Sequence, residues 1–165
     1  MNNLHKVYLN IGSNIEPEIH LPQAIEMLHQ HGEVQAVSTP WESHAVGGGP
    51  NFLNACVLIH TALNFEDLKK EIVHPIESTL GRVRSTDKNA PRTIDVDIIM
   101  IDGQAISLEK WSNPFVIVPM AEIAPDCIHP KLQIAMSEAA DQARTQAWIE
   151  KRSDIVLPFQ NPSRN

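Results

Sequence analysis

Ile94-Asp95-Val96-Asp97-Ile98-Ile99-Met100-Ile101 decides how this chain folds. It reads as a strand, closed by the turn pair Asp102-Gly103. Working back from it, Asn64 is placed to cap a helix, with Asp67 at the reciprocal position. Phe65, Leu68, Ile72, Ile76 and Leu80 give that helix an apolar face. Pro75 is expected to kink it and Gly81 to end it. Phe52 to Ile59 reads as a strand, and His44 to Pro50, with Gly47-Gly48-Gly49, as a flexible loop. Val34 to Trp41 reads as another strand. Leu21, Ala24, Ile25 and Leu28 follow Pro17 at helical spacing, and Gly32 stops them. Val7-Tyr8-Leu9-Asn10-Ile11 alternates as a first strand, ended by Gly12-Ser13-Asn14. The eight-residue run is therefore the last element of a strand-helix-strand-strand-helix-strand series. That order is an α+β fold of ferredoxin-like βαββαβ type, an antiparallel sheet with its helices packed on it.

Beyond the core, Pro119 to Pro125 is expected to hold a short helix. Met136 to about Lys151 is expected to form a longer one, a helical extension covering the sheet before a loose tail. The 165 residues suit one domain, 1–165, large enough for a real core without disulfides. Thirteen Lys and Arg stand against twenty Asp and Glu, a net charge of -7. That balance speaks against a nucleic-acid or anionic-membrane binder. Cys56 and Cys127 are far apart in apolar runs and read as reduced core thiols. No signal peptide is visible, and no apolar run approaches the ~20 residues of a membrane span. A cytoplasmic protein is expected.

Chemistry concentrates between Gly81 and Ile99. Asp95 and Asp97 are two apart on a strand, so both carboxylates share one face. Two like charges side by side need a positive partner, and a hard cation such as Mg²⁺ suits oxygen ligands so placed. Alone, the pair reads more simply as two solvated acids. Here, however, Arg82, Arg84, Lys88 and Arg92 precede it within eleven residues. A cationic loop running into a carboxylate pair is what a metal-bound polyphosphate needs. No GxxxxGK[ST] occurs, which excludes a P-loop enzyme.

A second constellation is Pro50-Asn51-Phe52-Leu53-Asn54-Ala55. Phe52 and Asn54 share a strand face beside the glycine-rich loop. A ring and an amide together can stack on and read a flat heterocycle, although taken singly they are a core Phe and an edge Asn. The eight histidines show no metal-ligand spacing, and no Ser/His/Asp arrangement suggests itself.

Together these residues resemble the 6-hydroxymethyl-7,8-dihydropterin pyrophosphokinase family. Lys88-Asn89-Ala90-Pro91-Arg92-Thr93-Ile94-Asp95-Val96-Asp97-Ile98-Ile99 fits that family's signature. Ile76-Glu77 with Gly81 to Arg84, Tyr8 to Asn14, Asn51 to Ala55 and Pro119 to Pro125 are similar in order. The resemblance implies a ferredoxin-like fold and transfer of diphosphate from ATP to the pterin hydroxymethyl group, releasing AMP. It implies that Asp95 and Asp97 hold two Mg²⁺ ions. It gives Arg82 and Arg92 catalytic roles, and places Glu77, Arg84, Lys88, Arg92 and Ile98 against the nucleotide. Ser43, Val46, Phe52, Asn54 and Phe115 would meet the pterin. The glycine-rich loop and the loop from Ser85 to Ala90 would act as lids. A monomer with small-molecule partners only is implied.

Two departures stand out. Lys88-Asn89-Ala90 replaces the Arg-Trp-Gly that many members carry. Between Ile106 and Phe115 the chain is shorter than usual, and the family's His and Arg there have no counterpart. Lys110 or Trp111 is the available substitute. The rival readings are a paralogue that keeps the pterin pocket with altered catalysis, an RNA-binding module and a regulatory ligand domain. Acidic charge and the absence of an RNP-type aromatic motif oppose the RNA module. A regulatory domain has no need of the aspartate pair with its arginines.

Overall fold

β1 (His5–Ser13) runs through the middle of a seven-stranded sheet. The computed structural model describes residues 3–83, 86–87 and 89–160. β1 pairs on one side with β4 (Phe52–Thr61) and on the other with β5 (Asp95–Ile101), both antiparallel. Beyond β4 lie β2 (Glu33–Val37) and β3 (Trp41–Ser43), which pair with it in tandem. The expected single strand from Val34 to Trp41 is thus two strands. Pro40 has no N–H for the ladder, and Cys56 N–H donates instead to the hydroxyl of Ser38 at 2.9 Å. Asp102 and Gly103, both at positive φ, turn the chain into the short strand β6 (Gln104–Ala105).

Helix α1 (Pro17–His31) starts with Pro17 in its first turn and buries Leu21, Ala24, Ile25 and Leu28. The second helical stretch begins as expected, with the Asn64 side chain accepting from Asp67 N–H at 2.9 Å. It runs from α2 (Phe65–Leu68) through a π-helical turn (Lys69–Val73) into α3 (His74–Thr79). The wider turn lies just before Pro75, where an ordinary helix would set the proline ring against the Glu71 carbonyl. These helices meet alternate residues of β1 and β4, Val7, Leu9, Ile11, Ala55, Val57 and Ile59, in the first core.

The other sheet face has its own core, which the chain's last third supplies. α4 (Pro114–Ile123) is apolar nearly all round because it lies between the sheet and α5 (Met136–Gln146). It begins five residues before the expected Pro119, which sits inside it. α5 presents Met136, Ala139, Ala140 and Ala143 to α4 and stops at Gln146, short of the expected Lys151. The chain then forms β7 (Ile149–Lys151) on the free edge of β3. A β-bulge at Ile99 lets Ile99 and Met100 both face this second core. α4 and α5 cover only part of that face. The uncovered end carries the site.

Candidate active site

Strand register assembles the site. Gly12 of β1 lies opposite Asn54 on one side and Asp95 on the other, and Asn10 lies opposite Asp97. Trp41 pairs with Asn54, and Ser43 with Phe52. The even positions of β1 and β4 and the odd positions of β5 therefore share one face. A cavity of about 170 Å³ opens there. Its lining includes Ser43, Val46, Phe52, Asn54 and Phe115, all five residues that the resemblance assigns to the pterin. Arg92 and Asp95 form its far wall. The volume lies below the ~300–1,000 Å³ of a drug-sized pocket, which suits one small flat ligand.

The neutral end is built by close approach. Asn54 is buried and its Nδ2 donates to Ser43 Oγ at 3.3 Å. A Cβ on Gly12 would come within 2.5 Å of Asn54 Oδ1, so only glycine leaves that amide where it is. Asn10 also lines the cavity, 4% exposed, and its Oδ1 has no hydrogen-bond partner among the described residues. Asn14 ties the two walls together. Its Oδ1 accepts from Arg92 N–H at 2.8 Å, and its Nδ2 donates to the Pro50 carbonyl at 3.2 Å. The sequence placed Asn10 and Asn14 only within a strand and its closing turn; the structure brings Asn10 to the cavity wall and Asn14 to the joint between the walls.

The charged end follows from a helix stop. Gly81, at φ 79°, lets Gly81 N–H reach the Ser78 carbonyl and Arg82 N–H the Glu77 carbonyl. This terminator turns Arg82 back on the helix it leaves. Arg82 then pairs with the buried Glu77 and, at 3.0 Å, with Asp95. Arg92 Nη1 reaches the other oxygen of Asp95 at 3.3 Å. Glu77 also accepts from Val96 N–H at 3.2 Å, which fixes the helix end to β5. An open groove of about 350 Å³ lies outside this cluster, lined by His74, Glu77, Ser78 and Arg82.

Lys110 Nζ lies 2.6 Å from Asp97 Oδ1. Of the two candidate substitutes in the shortened segment, Lys110 therefore reaches the site and Trp111 does not. Trp111 is fully buried in the second core, edge-on to His129, whose Nε2 donates to the Trp111 carbonyl at 2.7 Å. The Ile98 side chain points into the first core, away from the aspartates, so a ligand contact there falls to its backbone. Arg84 and Lys88 lie outside the described residues, as does Ser85 at the start of the second expected lid.

Burial and then the neighbouring Asp95 raise the Asp97 carboxyl above its ordinary pKa, against the pull of Lys110. A carboxylate pair that resists carrying two charges is a fit site for a hard divalent cation. Among the described residues no cluster of three or more His, Cys, Asp or Glu could hold a metal alone. A phosphate ligand would have to supply the remaining oxygens, as is usual for Mg²⁺.

The fold and cleft define a ferredoxin-like domain that joins a cluster of paired arginines and carboxylates to a small pocket whose other side is lined by uncharged residues. Residues 8–125 match the model of the 7,8-dihydro-6-hydroxymethylpterin-pyrophosphokinase family, and the chain belongs to that family. The chain is 38% identical to the 2-amino-4-hydroxy-6-hydroxymethyldihydropteridine pyrophosphokinase of Bacillus subtilis, over 92% of this chain and 93% of that one. It is 36% identical to the enzyme of the same name from Aquifex aeolicus, over 75% and 83%. Among solved structures, wild-type Plasmodium falciparum HPPK-DHPS with pterin and p-hydroxybenzoate superposes with a TM-score of 0.65 at 11% identity. That match covers 88% of this chain and 44% of the longer protein, and it speaks for the fold. Enzymes of this family transfer diphosphate from ATP to hydroxymethyldihydropterin in folate biosynthesis.

Proposed function

We propose that this cleft carries out the family's transfer with the triphosphate of ATP on the charged end and the pterin in the neutral cavity. The carrying observation is the continuity of the two ends: Arg92 and Asp95 wall the same cavity as Phe52 and Asn54. A hydroxymethyl group on a pterin seated there faces the phosphate-side residues directly. Proximity of this kind supplies much of the rate in phosphoryl transfer.

Each residue has a physical task. Asn54 offers a donor and an acceptor to the heterocycle's edge, and the unsatisfied Oδ1 of Asn10 takes a further N–H. Phe52 and Phe115 give apolar contact from β4 and from the start of α4. Arg82 and Arg92 exchange Asp95 for phosphate oxygens and neutralise the charge that repels the attacking hydroxyl. Lys110 does the same from the Asp97 side, in place of the missing His and Arg. Arg84 and Lys88, which fall between Arg82 and Arg92 in the sequence, add further positive charge. Asp95 and Asp97 would hold the two Mg²⁺ ions. Bound there, Mg²⁺ would offset triphosphate charge and stabilise the departing AMP. Glu77 keeps Arg82 oriented, and the Ile98 backbone borders the nucleotide.

The protein works as a monomeric cytoplasmic enzyme on small molecules, consistent with its acidic surface; no described helix is long and apolar enough to cross a membrane. Incubation with ATP, Mg²⁺ and hydroxymethyldihydropterin, followed by AMP measurement, tests the whole reading. AMP formed only when pterin and Mg²⁺ are both present is the expected result. Tight pterin binding without AMP would instead make the protein a paralogue with altered catalysis.

A further inference from the structure

The family match ends at residue 125, yet a strand well beyond it pairs with β3, which carries Ser43 of the cavity. β7 pairs with β3 in the register Trp41–Lys151, Glu42–Glu150 and Ser43–Ile149. One step further along that register sets Trp148 against His44. The two rings do meet, with centroids 4.5 Å apart and planes 22° from parallel. His44 lines the cavity, next to Ser43.

A second tether reaches the same histidine from the other end of β7. The register sets Glu42 opposite Glu150, a like-charge pair that is unfavourable by itself. Arg152 relieves it. Its Nη1 donates to Glu42 Oε1 at 2.5 Å, and its N–H donates to the Pro40 carbonyl. Asn51 Nδ2 then donates to Glu42 Oε2 at 2.8 Å, and Asn51 Oδ1 lies 3.1 Å from His44 Nδ1. Asn51 closes the glycine-rich loop that His44 opens. The loop's two ends are joined to each other, and both are joined to the C-terminal strand.

We infer that Trp148 and Arg152 are positioning residues for the substrate pocket: through His44 and Asn51 they hold the glycine-rich loop against the cavity and set its grip on the heterocycle. Neither touches the cavity itself. Three glycines at positive φ, Gly47, Gly48 and Gly49, leave the loop little stiffness of its own. Anchoring its ends lowers the entropy lost when a ligand orders it.

The inference rests on the cavity being the pterin site, and direct titration separates the two claims. Trp148→Ala should raise the pterin Kd about tenfold, the scale of one aromatic pair, and leave the ATP KM within about twofold. Trp148→Phe should restore most of the loss. Arg152→Met should raise the pterin Kd about fivefold, the scale of a cross-strand charge pair. In a His44→Ala background, Trp148→Ala should add less than about twofold, since neighbours acting through one residue are not additive. A wild-type protein that binds no pterin overturns the site reading and this inference together. Wild-type binding with unchanged variants overturns the inference alone. So does equal loss of ATP and pterin binding, whether or not the variant still folds.

Discussion

Between Glu77 and Asp97 the cleft is held by charge, whereas around Asn10, Gly12, Ser43 and Asn54 it is held by strand register. At the charged end Glu77, Asp95 and Asp97 already carry protein cations: Arg82 on Glu77, Arg82 and Arg92 on Asp95, Lys110 on Asp97. A polyanion binds there by exchanging partners. At the neutral end the polar atoms are fixed by a 10-residue strand and by the closeness of Gly12 to Asn54. A ligand there meets strand-borne polar atoms that are already in place. The two ends should therefore fail separately when altered, one through charge and the other through fit.

The largest effect is expected at the charged end. Asp97→Ala should cut AMP formation about a thousandfold, the scale of losing a central electrostatic group, with the melting temperature little changed. Survival of more than a tenth of the activity would show that the carboxylate pair is not the phosphate centre. At the neutral end, Gly12→Ala should push the Asn54 amide aside. Calorimetry should then show pterin affinity down about a hundredfold, as for a buried polar group left unpaired, and nucleotide affinity unchanged. Equal losses of both ligands would dissolve the distinction between the ends.

Lys110→Met should raise the ATP KM about tenfold, the value of one charge-assisted contact, without changing pterin affinity. An unchanged ATP KM would mean that Lys110 serves only to hold Asp97. The smallest effect concerns stability. Asn51, with help from Arg152, holds the Glu42 carboxyl below its ordinary 4.5. A depressed carboxyl stabilises the fold above its unfolded pKa and loses that contribution as pH falls through the folded value. Melting curves of wild type and Glu42→Gln should therefore differ at neutral pH and converge in acid below about 4.5. A difference that persists undiminished at low pH would count against the Arg152–Glu42–Asn51 chain.

The charged end was legible because it lies within one stretch of chain. Period-2 alternation puts Asp95 and Asp97 on one face wherever the strand lands, and Gly81 marks the helix stop that turns Arg82 inward. The neutral end was legible only in part. Phe52 and Asn54 stood out through their shared face, but Asn10 and Asn14 gain meaning only when β1 lies between β4 and β5. The strand expected from Val34 to Trp41 broke at Ser38 because a side-chain hydroxyl took over a ladder bond. The helix expected to reach Lys151 ended early because the free edge of β3 offered Ile149 to Lys151 better-placed partners.

By itself, then, the sequence determined the order of strands and helices, the faces their side chains share and the cationic run beside a carboxylate pair. Those features depend on the 3.6- and 2-residue periods of the backbone and on charges adjacent in the chain. Tertiary structure alone decided that Lys110 rather than Trp111 meets Asp97, that the last third builds a second core, and that Trp148 stands on His44. Each of these depends on which unpaired edge or exposed face lies nearest once the sheet has formed, and on no property of the residue's immediate neighbours in the chain.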